Sequence, residues 1–308
     1  MKNKIYKKWR YWLAVMVLVI GIGGMSGCVE VSSNEENKEE SKEPQGDGSG
    51  EKEPEKKEEN DKASIEEQVL LDQDGIKITA KELTEGSIWG PELKVLVENT
   101  GEKSVTVQVR NMSVNGFMVE AMFSSDVAAG KSANDTITLM EGDLETAGIT
   151  VIQNIEFSFH VFDSESWDTV FDSDLIYLAT SADGTGEQSV DKSGQLVLEQ
   201  EGISIIIKEA DSEDSFWGAD IYVYIENNSD KNITVQSRSV SINGFMVDPV
   251  FSCEVGAGKK AYDTITFLDS ELTDNGIETI DQMDISFHIF ETDSWNTILD
   301  SENINVTF

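Results

Sequence analysis

The chain has 308 residues, room for about two ordinary domains, and carries 59 Asp and Glu against 23 Lys and Arg, a net charge of −36. No basic stripe is present to neutralise phosphates, so nucleic acid is excluded as a partner on electrostatic grounds. The usual role of such an acidic surface is solubility. Recruitment of a divalent cation or a basic protein is the open alternative.

Residues 1–27 have the pattern of a bacterial lipoprotein signal peptide. Lysines and an arginine at 2–10 precede the apolar stretch "YWLAVMVLVIGIGG", which is shorter than the roughly 20 residues of a membrane span. The motif "MSGC" at 25–28 then resembles the lipobox, in which small residues precede a diacylated cysteine, although Met25 replaces the usual leucine. We predict that acylated Cys28 anchors the protein in the lipid bilayer of the cell membrane, on the extracellular side. The alternative is a retained span with an incidental cysteine.

Residues 28–65 are predicted to form a disordered acidic tether. They are rich in Glu, Lys, Ser and Gly and have almost no apolar side chains, so burial cannot offset the entropy of ordering them. Pro44, "GDGSG" and Pro54 would interrupt a helix through the Glu/Lys runs. A flexible coil of about 37 residues reaches roughly 30 to 35 Å, which would hold the folded part away from the lipid.

The rest of the chain contains one unit written twice. "SVNGFMV" at 113–119 returns as "SINGFMV" at 241–247, an offset of 241 − 113 = 128 positions. The same offset matches "TVQ", "DTIT", "SFH" and a tryptophan further along each copy. We predict two domains, 66–180 and 196–308, joined by a polar, Gly-rich linker at 181–195 that allows each domain to fold alone.

Within each unit, apolar and polar side chains alternate, as in "GIKITA", "ELKVLVEN" and "IEFSFHVF", which indicates half-buried strands. The parity changes near residue 110 and again near residue 238, which predicts a β-bulge in each unit. Asn-Gly at 115–116 and in the second copy predicts two-residue type I′ turns, because both positions need positive φ. The only helical candidates are "EGDLETAG" at 141–148 and "DSELTDNG" at 269–276.

These patterns predict an all-β fold with two tandem immunoglobulin-like antiparallel β-sandwiches after the signal peptide and tether. Through "SIWGPELKVLVENTGEKSVTVQVRNMSVNGFMV" and its echo, the chain resembles the uncharacterised immunoglobulin-like domains carried singly or in tandem by lipoproteins of Gram-positive bacteria. The resemblance implies an extracellular binding or scaffold module and brings no catalytic residues with it.

Residues suited to catalysis are few, so we predict that the protein is not an enzyme and assign no catalytic residue, cofactor or metal ligand. His160 and His288 occupy the same strand position in the two copies and are expected to face solvent or bond a side chain, since no nucleophile motif accompanies them. Cys253 is expected to be a small buried side chain. The acidic turns at 163–168 and 291–296 suggest calcium, but the glycine and distal glutamate of an EF-hand loop are missing.

A partner site is predicted at the hairpin end of each sandwich. Four aromatic residues are its proposed contacts: Trp89, Phe117, Trp217 and Phe245. Acidic residues would border them: Glu141 and Asp143 in the first unit, Asp269 and Glu271 in the second. Trp167 and Trp295 are expected at the opposite ends. The competing interpretation is that a tryptophan beside a strand start plugs the end of the core.

The sequence therefore favours a membrane-anchored extracellular lipoprotein that acts as a non-catalytic binding or scaffold module. An unknown protein or cell-wall material is its expected ligand. Two alternatives remain open at this point: a hydrolase with a pair of catalytic carboxylates, and a pure spacer without a binding site.

Overall fold

A computed structural model describes residues 63–211 and 218–308. The predicted signal peptide, the predicted lipidation site Cys28 and nearly all of the predicted tether lie outside the described residues. The described chain is all-β and forms immunoglobulin-like antiparallel sandwiches, as predicted. No helix within these two ranges is long and apolar enough to cross a membrane.

The first repeat forms two facing sheets and one short helix. Its elements are β1 (Gln68–Gln73), β2 (Ile76–Ser87), β3 (Gly90–Asn99), β4 (Val105–Val114), β5 (Phe117–Met118), β6 (Ala121–Met122), β7 (Ser124–Val127), β8 (Lys131–Leu139), α1 (Glu141–Thr146), β9 (Asn154–Asp163), β10 (Thr169–Asp172) and β11 (Ile176–Ala179). One sheet has the order β1-β2-β3-β8-β6. The other has the order β10-β9-β4-β5, with β7 paired to β4 and β11 paired to β9.

The second repeat has the same plan. Its elements are β12 (Gln195–Gln200), β13 (Ile203–Asp211), β14 (Gly218–Asn227), β15 (Ile233–Ile242), β16 (Phe245–Met246), β17 (Ser252–Val255), β18 (Lys260–Leu268), α2 (Asp269–Asp274), β19 (Gln282–Glu291), β20 (Thr297–Asp300) and β21 (Ile304–Thr307). Strands β12, β13, β14 and β18 form one side of the sandwich. The order β16-β15-β19-β20 forms the other, with β17 paired to β15 and β21 paired to β19.

The predicted turns and bulges are confirmed. Asn115 and Gly116 have φ angles of 51° and 80°, and β4 pairs with β5 across this two-residue turn. The turn at 243–244 has the same signs of φ. The register between β4 and β9 shifts after Arg110, and the register between β15 and β19 shifts after Arg238, where each strand bulges.

Strand alternation decides which side chains reach the core. In β9, Phe157, Phe159 and Val161 are fully buried between the sheets, and the corresponding residues of β19 do the same in the second repeat. His160 and Phe162 lie on the opposite, outward parity of β9. The outer face of this strand therefore carries two rings at the end that leads into β10.

The two repeats share a sheet. Phe117 of β5 pairs in parallel with Lys260 of β18, so one ten-stranded sheet runs from the first repeat into the second. The Phe117 ring stacks on that of Tyr262, with centroids 5.6 Å apart and planes 4° apart. Ile206 and Tyr224 of the second repeat belong to the apolar core of the first. The junction is therefore a packed interface.

The segment 181–195, predicted to be a linker, lacks strands except at its last residue and forms bonds to both repeats. The Gln188 amide oxygen accepts a hydrogen bond from Asn115 at 3.1 Å. Asp191 pairs with Lys208 at 2.6 Å, and its carbonyl accepts the Tyr262 hydroxyl at 2.9 Å. A Gly-rich, polar composition indicates the absence of strands, but it also supplies the donors and acceptors that bind this segment down.

The ordered fold also begins earlier than the predicted boundary at residue 66. Ala63 and Ile65 pack partly against the first core, and the Ser64 carbonyl accepts the Ser181 N–H at 2.7 Å. Two apolar side chains at the end of an otherwise polar segment are enough to draw it onto the sandwich.

Candidate functional site

The structure brings part of the predicted hairpin-end site together. Trp89 is half-buried, and its carbonyl accepts the Glu141 N–H at 2.9 Å. Asp143 is buried and accepts the Glu120 N–H at 2.7 Å, so its carboxylate stabilises the fold. Burial, with the negative charge of Glu145, raises the pKa of Glu141. This end of the first sandwich is largely occupied by its own contacts.

The structure corrects the prediction that Phe117 contacts a partner. Its exposure is 0 % because it is enclosed in the junction between the repeats, so it cannot contact a ligand. Its counterpart Phe245 has no such cover and is 49 % exposed. Trp217 lies outside the described residues, and its predicted role stays a prediction.

The most exposed tryptophans lie at the other end of each sandwich. Trp167 is 73 % exposed and Trp295 is 74 % exposed, more than any other large apolar side chain in 63–211 and 218–308. Trp167 follows the last residue of β9, whereas the first residue of β9 receives the Asn115 hairpin. The expectation that these two tryptophans lie away from the hairpin end is confirmed.

Each tryptophan occupies the last position of a four-residue hairpin loop. In the first repeat, Asp163 N–H donates to the Asp168 carbonyl and Trp167 N–H donates to the Asp163 carbonyl, both at 2.9 Å. Trp167 has φ of 65°, and Trp295, in the matching loop, has φ of 60°. This left-handed conformation costs an L-residue about 1 to 2 kcal/mol, and glycine or asparagine usually fills it. A tryptophan at this position in both repeats is opposed by the backbone preference.

The tryptophans cover a phenylalanine on the outer sheet face. The ring centroids of Trp167 and Phe162 are 5.4 Å apart with planes at 17°, and Phe162 lies 5.4 Å from the His160 ring. In the second repeat, the ring centroids of Trp295 and Phe290 are 5.2 Å apart, and those of Phe290 and His288 are 5.3 Å apart.

We call each trio of rings an aromatic ledge. The first ledge is His160, Phe162 and Trp167, and the second is His288, Phe290 and Trp295. Neither phenylalanine was predicted to be a site residue. The available signal was a large apolar side chain on the polar parity of the strand in both copies.

Each histidine of a ledge binds one carboxylate. His160 Nδ1 lies 2.6 Å from Asp172, and His288 Nδ1 lies 2.5 Å from Asp300. The prediction that these histidines bond a side chain is confirmed. Both carboxylates are mostly exposed, so each pair orients an imidazole at the edge of its ledge.

A lysine and a carboxylate hold the first loop in shape. One oxygen of Asp163 accepts the N–H groups of Glu165 and Ser166 at 2.9 and 3.2 Å, and the other pairs with Lys103 at 2.7 Å. These bonds, the one from Lys103 first, lower the pKa of Asp163 to about 2. In the second repeat, hydrogen bonding from Ser294 and the charge of Lys231 lower the pKa of the equivalent glutamate, at 291.

One carboxylate in each acidic turn therefore stabilises the loop: Asp163 in the first repeat and Glu291 in the second. Both oxygens of Asp163 are already bonded to groups of the chain itself. Within the described ranges, no three His, Cys, Asp or Glu side chains are grouped so that they could hold a metal ion. Glu165, Asp168 and Asp293 are exposed beside the tryptophans and make the surroundings of each ledge acidic.

The likeness of this chain to known proteins is weak. No protein-family description and no curated protein match the chain. Among solved structures, the chain is similar to the YadV chaperone at 11 % identity, over 70 % of this chain and 92 % of that one, with a TM-score of 0.22. A Porphyromonas gingivalis W83 protein of unknown function is similar at 14 % identity, over 70 % and 89 % of the two chains, with a TM-score of 0.20. The ledges are therefore interpreted from their own geometry.

Proposed function

We propose that this protein is a membrane-anchored extracellular lipoprotein and a non-catalytic binding module for protein or cell-wall material, with the two aromatic ledges as its contact sites. Lipidated Cys28 would supply the anchor, and the acidic tether would hold the sandwiches above the membrane. The proposal moves the contact residues from the hairpin end, where the sequence placed them, to the opposite end.

The observation that supports this proposal is the exposed tryptophan in a left-handed backbone conformation in both repeats. Glycine or asparagine would relieve about 1 kcal/mol of backbone strain at each position. Trp167 keeps 73 % of its surface in water, so burial offsets only part of that cost. Strained residues that persist on a surface cluster at binding sites, and tryptophan is enriched among residues that dominate binding energy.

The surroundings favour a ligand with flat or cationic groups. One face of the Trp167 indole rests on Phe162, and most of its remaining surface is open to solvent. Exposed carboxylates at Glu165 and Asp168 raise the local concentration of positive charge, and a cation above an indole gains further from the ring quadrupole. Basic protein segments and amine-bearing wall polymers both meet this description.

Two ledges on one chain would act together. Once one ledge is occupied, the second binds the same wall or partner as an intramolecular event, at an effective concentration set by the geometry of the two repeats. Single-ledge variants should therefore lose part of the retention, and a double variant should lose nearly all of it.

The test is cosedimentation of the lipid-free protein with insoluble walls purified from a Gram-positive bacterium, before and after protease treatment of the walls. Trp167→Ala with Trp295→Ala should raise the dissociation constant at least about thirtyfold, as expected for hot-spot residues. Leu175→Ala is the matched control, because that side chain is also exposed and belongs to neither ledge. Tyrosine at both positions should restore much of the binding.

Protease treatment decides between wall protein and wall polymer as the ligand. Unchanged sedimentation of the double variant would reject the ledges as contact sites. If the wild-type protein does not sediment with either wall preparation, the spacer alternative becomes the better account.

A further inference from the structure

The repeated heptapeptide has two different fates in the folded chain. In the first repeat, its Phe117 and Met118 are packed against the second repeat. In the second repeat, the equivalent Phe245 and Met246 are 49 % and 68 % exposed. We propose that the β16 edge docks onto the first repeat of a second copy of this chain, head to tail, by repeating the junction that already joins the two repeats.

The existing junction shows which contacts the motif makes. The Lys260 N–H donates to the Gly116 carbonyl at 3.0 Å, beside the parallel pairing of Phe117 with Lys260. The Lys260 ammonium lies 5.5 Å from the centroid of the Phe117 ring. Lys259 forms an ion pair with Glu156 of β9, which pairs with Ser113 of β4. The contact thus combines one backbone hydrogen bond, one ring and one ion pair.

The second repeat has an equivalent of each group that the first motif contributes to this contact. Gly244, Phe245 and Met246 replace Gly116, Phe117 and Met118 in the same turn, whose φ angles have the same signs. Asp284 replaces Glu156 at the equivalent position, so a carboxylate is again present beside the motif. Strand β16 pairs with β15 on one side, and its other edge meets no strand in the described part of the chain.

Strand β8 of the first repeat has the backbone register and the positive charge with which β18 of the second repeat receives the motif. Lys131 is the counterpart of Lys259; it is exposed and forms no ion pair with the described residues. Ser132 pairs with Glu98 in the register in which Lys260 pairs with Glu226, so its amide points to the same outer edge of the strand. If the Ser132 N–H donates to the Gly244 carbonyl of the second copy, the Lys131 ammonium would lie beside Asp284 of that copy.

The first repeat lacks two side chains that strengthen the junction within the chain. Asn134 stands where Tyr262 stacks on Phe117, and Ser132 stands where Lys260 covers that ring. The contact between copies is therefore weaker than the contact within the chain. It becomes significant where copies are concentrated, as anchored copies are at a membrane. A head-to-tail contact of this kind is heterologous, so it propagates into short arrays.

The test is sedimentation equilibrium of the lipid-free chain over a concentration series up to about 1 mM, the range in which a contact of this strength is populated. The weight-average mass of the wild type should rise with concentration. Phe245→Asp should hold it at the monomer value, whereas Leu175→Asp, which adds the same charge at another exposed apolar site, should leave the association unchanged. Circular dichroism checks that each variant is folded.

Three further variants test the surface of the first repeat that receives the β16 edge. Asn134→Tyr restores the missing ring and should tighten association roughly fivefold, the effect of a stacked aromatic pair. Lys131→Glu should weaken association, and Lys131→Glu with Asp284→Lys should recover it. A monomeric wild type throughout the series, an association that survives Phe245→Asp, or one that Asn134→Tyr leaves unchanged would each overturn the proposal.

Discussion

The two copies of one motif allow the packing of the junction to be measured against an internal control. Phe117 and Phe245 have the same neighbours in sequence and follow the same Asn-Gly turn. They differ in cover, since Phe117 is fully buried against Tyr262 while Phe245 is 49 % exposed. Changing each to alanine therefore removes the same atoms from two environments.

Phe117→Ala should destabilise the protein by about 3 to 4 kcal/mol. A buried phenylalanine covers about 200 Å², of which alanine retains roughly a third, and the lost area at about 25 cal/mol per Å² gives the lower figure. The cavity left beside Tyr262 adds to it. Phe245→Ala loses about half as much area and leaves no closed cavity, so its cost should be about 1.5 to 2 kcal/mol.

The measurement is urea unfolding followed by far-ultraviolet circular dichroism, with the free energy taken from the midpoint and slope of each transition. The two variants should differ by about 1.5 to 2 kcal/mol in the free energy of unfolding. A difference below about 1 kcal/mol would mean that the junction contributes little, and the reasoning from Phe117 burial would be refuted.

Two further predictions concern the loop of the first ledge and the anchor. Because the pKa of Asp163 falls from an ordinary 3.8 to about 2, its bonds to Lys103 and the loop should stabilise the protein fully above pH 3.8 and be lost as the pH falls towards 2. Asp163→Asn should therefore flatten the fall of the urea midpoint over that interval; an unchanged pH profile would contradict this role of Asp163. Cys28→Ser should abolish labelling by a fatty-acid analogue in cells and leave uncleaved or released protein, and equal labelling of the variant would remove Cys28 from the proposal.

Local signals in the sequence were sufficient for much of the fold. Alternation in "IEFSFHVF" predicted which β9 side chains enter the core, because a strand exposes its two faces in turn. The parity change near Arg110 predicted the bulge, and Asn115-Gly116 predicted the turn, because both are set by short-range steric rules. These features depend only on neighbours along the chain.

The functional surfaces could not be read in the same way. The identical Phe-Met pairs at 117–118 and 245–246 have opposite burial, because burial depends on what lies across the strand edge. Trp167 was expected at the end of the sandwich where it lies, but its left-handed φ and its stacking on Phe162 follow from the loop's hydrogen bonds. The carboxylates of the acidic turn suggested calcium by composition, while the structure uses Asp163 to bind backbone N–H groups and Lys103.

Duplication explains why the two ends of this protein behave differently. Both copies kept the ledge, since Trp167 and Trp295 match in exposure, φ and stacking partner. The two copies differ on the surface that receives the hairpin: the second repeat has Tyr262 at the position where the first has Asn134. Because Tyr262 has no aromatic counterpart in the first repeat, the tight junction forms once, within the chain. The edge of β16 at Phe245 is therefore left uncovered. That asymmetry predicts separable variants: changes at the ledges should alter ligand retention without altering self-association, and changes at Phe245 should do the reverse.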